Sequence, residues 1–260
     1  MSDNTNSRKP STRRQYLKAT GLSVAGITGF SHPAMAKSVD HQKIHEKARK
    51  IYNNTNSAKK REKFLRKQDI RMDKVEQTYS VTTNQDGVGT DKVERDELSI
   101  YFSMTEYDDD AWDVFIQWNL ADAIPWEGEG PRDQVGIAWD DEDYYFLSDE
   151  VWYSDNYVNV EDFSTTGGSG GIDFGFQDKY GDGNNNYYGE FVARFNKDNV
   201  SGPRQLEAKY IHTYAGYIDS LTVGFPDIVS ISFKKEGGSW DTVQQEDGDL
   251  LLISPDNTSA

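Results

Sequence analysis

Leu98-Ser99-Ile100-Tyr101-Phe102-Ser103-Met104-Thr105 and, after a short acidic turn, Trp112-Asp113-Val114-Phe115-Ile116-Gln117-Trp118-Asn119-Leu120 decide the fold class. In the first stretch Leu98, Ile100, Phe102 and Met104 recur at every second position. In the second, Trp112, Val114, Ile116, Trp118 and Leu120 do the same. Period two is the signature of a strand with one face in a core. Similar runs follow at 134–139, 144–153, 157–163, 172–177, 187–195, 205–214, 217–225, 228–234 and 249–253. Turn chemistry separates them: Asp108-Asp109-Asp110, Glu129-Gly130-Pro131, Gly167–Gly171, Asp182-Gly183-Asn184, Gly202-Pro203 and Gly237-Gly238. Short strands with polar turns, and no room for a ten-residue helix between them, predict an all-β fold. The expected architecture is an antiparallel β-sandwich or jelly roll over residues 75–255.

Upstream the period changes. Residues 39–68 carry Val39, Ile44, Ala48, Ile51-Tyr52, Ala58, Phe64 and Leu65 at helical spacing, interrupted by Asn53-Asn54-Thr55-Asn56-Ser57. Ser57 suits an N-cap, so a second helix is predicted at 58–67. A short, basic helical hairpin at 37–74 therefore precedes the sandwich.

Charge divides along the same boundary. Residues 37–75 hold 13 Lys/Arg against 5 Asp/Glu, whereas residues 76–260 hold 10 against 38. Self-repulsion on that scale destabilises a compact domain at low ionic strength. It becomes tolerable where the Debye length shrinks to about 3 Å near 1 M salt. The composition thus points to a halophilic setting, and phosphate repulsion argues against a nucleic-acid partner for the β domain. The basic segment is expected to dock either on the acidic sheets or on an anionic surface. The chain has no cysteine, which excludes disulfides, Cys-ligated zinc and a lipidated N-terminal cysteine.

Thr12-Arg13-Arg14-Gln15-Tyr16-Leu17-Lys18 resembles the twin-arginine export consensus, with Tyr in place of Phe. A short, weakly apolar stretch, Ala19 to Phe30, follows; Ala34-Met35-Ala36 then places small residues at the positions a signal peptidase reads. The expectation is a signal of residues 1–36 with Arg13, Arg14, Ala34 and Ala36 as its working residues, cleavage before Lys37, and a secreted or extracellular product. No later run reaches the length of a transmembrane helix. Export of folded, acidic proteins by this route is similar to haloarchaeal practice.

Several motifs bear on chemistry. Gly167-Gly168-Ser169-Gly170-Gly171 matches G-x-S-x-G, but a nucleophile elbow needs a following helix, so a flexible loop is expected. Asp178, Asp182 and Asn184 offer hard oxygens for calcium, the one cofactor considered; a hairpin turn is the plainer reading. His41 and His45, four apart beside Glu46, share a helix face but lack a third ligand. That face is expected to be solvated. Glu190, on the aromatic strand Tyr187 to Phe195, is the carboxylate to inspect for glycan cleavage by a jelly-roll enzyme. The plainer reading faces it outward on its strand. Trp126, Tyr144, Tyr145, Trp152, Tyr153 and Tyr157 either pack in the core or form a glycan-stacking platform. Sequons stand at Asn53, Asn199 and Asn257.

The leader and residues 44–85 resemble the front of a haloarchaeal halocin precursor, whose N-terminal part serves as the immunity protein. Arg13-Arg14, Ile51-Tyr52, Lys59-Lys60-Arg61, Lys74-Val75 and Ser80-Val81-Thr82-Thr83-Asn84-Gln85 carry the likeness, over about a fifth of the chain. It fades after Gly89, and the cysteine-rich toxin of that precursor is absent. The resemblance implies a shared helical module with an immunity or antimicrobial role and supplies no functional residues. The function expected from the whole sequence is a non-catalytic binding or interaction module, directed at a cell-surface glycan or protein.

Overall fold

The structure is a computed structural model. It describes residues 34–80, 97–108, 110–120, 132–139, 144–154, 158–164, 170–176, 186–195, 204–215, 218–224, 228–233, 238–241 and 251–258.

Two helices open the described chain. Helix α1 spans Ala34–Thr55 and α2 spans Ala58–Arg66. Asn56 turns the chain with φ 47° and Ser57 caps α2, its side chain accepting from the Lys60 amide. The Asn-rich interruption is therefore shorter than the sequence suggests, because Asn53 to Thr55 complete the last turn of α1. At the far end Asp69 adopts φ 55°, and the Gln68 and Ile70 amides both donate to the Leu65 carbonyl. Such a left-handed stop closes a helix and redirects the chain within a few residues.

Thirteen strands follow among the described residues: β1 Met72–Ser80, β2 Glu97–Asp108, β3 Ala111–Leu120, β4 Asp133–Trp139, β5 Tyr144–Tyr153, β6 Val158–Ser164 and β7 Gly170–Phe176. Then come β8 Tyr187–Phe195, β9 Leu206–Ala215, β10 Ile218–Gly224, β11 Ile228–Phe233, β12 Gly238–Asp241 and β13 Leu251–Ile253. A 3-10 turn, Pro255–Asn257, ends the described chain. Strands β1-β2-β3-β8-β5 form one antiparallel sheet. The second runs β12-β9-β4-β7-β6, with β13 also on β9. The chain alternates between sheets, pairing β3 with β8 and β4 with β7, which is the winding of a jelly roll. The all-β sandwich preceded by a helical hairpin is thus the observed fold.

The sheets meet over one core. Ile100, Phe102, Met104, Val114, Ile116, Trp118 and Phe191 of the first sheet pack on Val135, Ile137, Trp139, Ile172, Phe174 and Tyr210 of the second. The rings interlock with glycines. A Cβ on Gly189 would stand 2.4 Å from the Phe174 ring, and one on Gly170 would stand 2.0 Å from the Trp139 indole. Gly170 and Gly171, read as loop, are therefore strand residues placed by packing. They open strand β7 and not a helix, so the nucleophile-elbow context is missing.

Both outer faces of the sandwich are covered. The separate β10–β11 hairpin lies against β4, β6, β7 and β9, so β4 and β7 are buried along their whole length. On the other sheet α1 lies against β2 and packs against α2.

Candidate functional site

The outward face of the first sheet is laid out in rows by strand register. Tyr101, Gln117 and Tyr188 make one row; Ser103, Phe115, Glu190 and Trp152 the next; Thr105, Asp113 and Val192 the third. In an ordinary sandwich such positions face water. Here Asp113 and Glu190 are each 0% exposed, because the helices seal them.

The helices meet them with cations. His45, Ala48, Arg49 and Tyr52 fall on one stripe of α1, and Ala58, Arg61 and Leu65 on one stripe of α2, at the spacing of a helix face. Arg61 Nη2 donates to Asp113 Oδ2 at 2.7 Å and to Glu190 Oε1 at 3.4 Å, bridging the two carboxylates. Arg49 grips Glu190 in a fork, Nε to Oε2 and Nη2 to Oε1, both at 3.1 Å. Forked guanidinium–carboxylate pairs are the strongest of the charge-assisted hydrogen bonds. The Arg49 guanidinium also lies 3.3 Å from the Trp152 ring centroid, and that of Arg61 lies 4.4 Å from the Phe115 centroid. Each arginine therefore has a carboxylate in its plane and an aromatic face beneath it.

His45 completes the seam. Its Nδ1 stands 2.5 Å from Asp113 Oδ2 and its Nε2 stands 2.8 Å from the Glu106 carbonyl. Both neighbours are oxygen acceptors. Two guanidinium groups and one imidazole thus converge on two carboxylates. Around them Tyr52 sets its edge on Phe115 and Tyr188, with centroids at 5.1 and 4.7 Å. The Ala58 amide donates to Gln117 Oε1 at 3.0 Å.

Burial and neighbours pull the two acids apart. Burial pushes Asp113 upward, but Arg61, His45 and Arg49 outweigh it, and its carboxyl is held well below the usual range. Glu190 goes the other way: burial and the negative charge of Asp113 raise it against the pull of Arg61 and Arg49. Two carboxylates with split affinities for a proton are the pattern of an acid–base pair. Glycoside cleavage, however, needs the pair open to a sugar and a water. This pair is roofed by α1 and α2 and neutralised by their guanidinium groups.

No protein-family model and no curated protein matches this chain. Its site has to be read from geometry.

The seam gathers two residues the sequence singled out, Glu190 and Trp152, with His45, which the sequence placed on a solvated face. The reason for that correction is the sheet beneath α1: His45 points at Asp113, while Glu46 stays exposed. Glu190 does lie on the outward face of its strand, but under a helix rather than in water. Trp152 and Tyr153 are both partly buried, Trp152 under Arg49 and Tyr153 against the inter-sheet core. Asp113, Arg49 and Arg61 were missed. Asp113 sits in an alternating strand where its neighbours make it look solvent-facing. Arg49 and Arg61 look like two more charges in a basic run. The usable signal was the shared helical stripe that carries Arg49 with His45 and Tyr52.

Other candidates are dispersed. Ala34 and Ala36 form part of the first turn of α1. Asn53 and Asn257 are exposed. Arg13, Arg14, Asp178, Asp182, Asn184 and Asn199, with Trp126 and Tyr157, lie outside the described residues. No described helix is long and apolar enough to cross a membrane.

Proposed function

We propose that this chain is an exported, salt-adapted binding or interaction module, in which the sandwich is a rigid scaffold and the helical hairpin is clamped to its face. The twin-arginine leader supports export, and 38 acidic against 10 basic residues over 76–260 support a brine environment. The observation that carries the non-catalytic reading is Glu190. The carboxylate best suited to glycan cleavage is 0% exposed and held in a fork by Arg49. A scaffold of this kind acts through the loops and faces it presents. Glycan-array and cell-wall pull-down assays in molar KCl test the proposal. Selective retention on a surface glycan or protein is expected; silence in both, with the protein folded, contradicts it.

A second reading keeps the halocin-like module. Tyr52 and Arg61, two of the residues behind that resemblance, are among those that fasten the hairpin to Phe115 and Asp113. On this reading the hairpin is an immunity element. Protection or killing in a haloarchaeal growth assay is its expected signature, and unchanged growth removes it.

A further inference from the structure

The basic side chains of the hairpin divide into two sets. Arg49, Arg61 and His45 turn inward to the buried acids. Lys43, Lys47, Lys50, Lys60, Lys63 and Lys67 are all exposed, and none has an ion pair among the described residues. Their positions follow from helix geometry. Lys43, Lys47 and Lys50 recur four and three apart on α1, half a turn from the stripe of His45, Ala48 and Tyr52 that faces the sheet. Lys60, Lys63 and Lys67 sit in the same way opposite Ala58, Arg61 and Leu65. Both helices therefore turn a row of lysines away from the sandwich.

This inverts the chemistry of the remaining chain. Residues 76–260 carry 10 basic side chains among 38 acidic ones, yet this one hairpin displays six lysines without a described counter-ion. An open hollow of about 420 Å³ lies along α2, lined by Lys59, Glu62, Lys63, Arg66 and Lys67. Glu62 in its wall is already neutralised by Arg66 at 2.9 Å and Lys74 at 2.8 Å. With Lys59 paired to Glu76 at 2.8 Å, Lys63 and Lys67 are the lining cations left to meet an anion.

We propose that the outward lysine face of α1 and α2 docks the protein on the anionic phosphate headgroups of a lipid bilayer. The choice of a bilayer rests on the export reading above: the hairpin directly follows the leader in sequence, and the first polyanion it meets outside is the membrane it has crossed. Among the described residues the exposed large apolar side chain is Leu252, on β13. The contact is therefore electrostatic and peripheral, lysine to phosphate, without an inserted apolar wedge. A Debye length near 3 Å in molar salt removes long-range attraction but leaves direct contact pairs. Stacking six lysines on one face is how contact pairs add up under those conditions.

Full-length protein is incubated with vesicles of phosphatidylglycerol or phosphatidylcholine at 0.5 to 2 M KCl, and the bound fraction is measured by sedimentation. The comparison variant carries Lys47→Glu, Lys50→Glu, Lys60→Glu and Lys63→Glu, and a milder one carries the same four positions as Gln. The leader is identical in all three, so its own membrane affinity cancels. The wild type is expected to partition preferentially to phosphatidylglycerol, with a loss of at most about fivefold per lysine removed at the lowest salt. The Glu variant is expected to fall to the phosphatidylcholine level, with the Gln variant in between, and all three to show the same circular dichroism. Equal partition on both lipids overturns the proposal, as does undiminished binding by a folded Gln or Glu variant. Vesicle-independent self-association abolished by the same substitutions also overturns it, in favour of a second copy as partner. Processing of the leader in an export-competent host is a separate readout, so a failed export reading and a failed lysine face are told apart.

Discussion

The two outer faces of the sandwich are both covered, one by helices and the other by strands. On the second sheet a β-hairpin, β10–β11, lies over a face whose rows carry Gly136, Ala138, Gly171 and Gly175 beside Gln134, Asp173, Glu207 and Lys209. Small residues let a second layer approach closely, and packing density then supplies the cohesion. On the first sheet the cover is helical and meets Asp113, Glu190, Phe115 and Trp152 through guanidinium groups and an imidazole. Buried ion pairs of this kind gain little over an apolar contact of equal size, yet breaking one partner is expensive. The difference teaches that the helical cover is fastened by guanidinium groups and an imidazole on buried acids, whereas the strand cover closes over small residues with the buried side chains of Gln134 and Asp173 among them.

Neutralising Asp113 is expected to break the comparison most. Asp113→Asn leaves Arg61 and His45 buried with one anionic partner fewer, at a cost of about 3–5 kcal/mol. Urea unfolding in molar KCl measures it; a loss below about 1 kcal/mol would mean the seam is not what fastens the hairpin. The same residue sets the acid limb. Because its folded carboxyl is held below the unfolded value of roughly 3.9, its contribution is present above about pH 4 and is lost as pH falls further. Glu190 has the opposite sign, since its folded carboxyl is raised and it favours the folded state less as pH climbs past about 4.5. Glu190→Gln is therefore expected to flatten the alkaline side of the stability curve and leave the acid side in place.

Shape is tested inside the sandwich. Gly189→Val drives a side chain into the Phe174 ring and is expected to cost about 1–3 kcal/mol with no dependence on pH. Thermal melts at pH 4 and pH 7 check both points. Trp152→Ala removes the surface beneath Arg49 but leaves its fork to Glu190, so a smaller loss of about 0.5–2 kcal/mol is expected. If it matches Asp113→Asn, stacking rather than charge fastens α1.

The fold was readable where the period was clean. Leu98 to Met104 and Trp112 to Leu120 announce strands through alternation alone, and Ser57 announces the start of α2. Strand β1 begins at Met72, ahead of the expected change at residue 75, because Ile70 and Met72 join Ala48 and Leu65 in the hairpin's own apolar cluster. Strand β12 was hidden by Gly238, which looks like a turn residue but pairs with Ala215. The seam was less legible. Alternation assigns Asp113, Phe115 and Glu190 to one face, but it cannot say that a helix will cover that face. The basic segment carried the hint, since 13 cations beside an acidic domain need partners, and the sheet proved to be one.

Amide hydrogen exchange on the full chain in molar KCl, comparing wild type with Asp113→Asn, tests the account most directly. The account predicts that α1 and α2 lose protection first and furthest in the variant, while β4 and β7 keep theirs. Equal loss across the helices and both central strands, or helices that stay protected, would contradict a hairpin held to its sheet by charge.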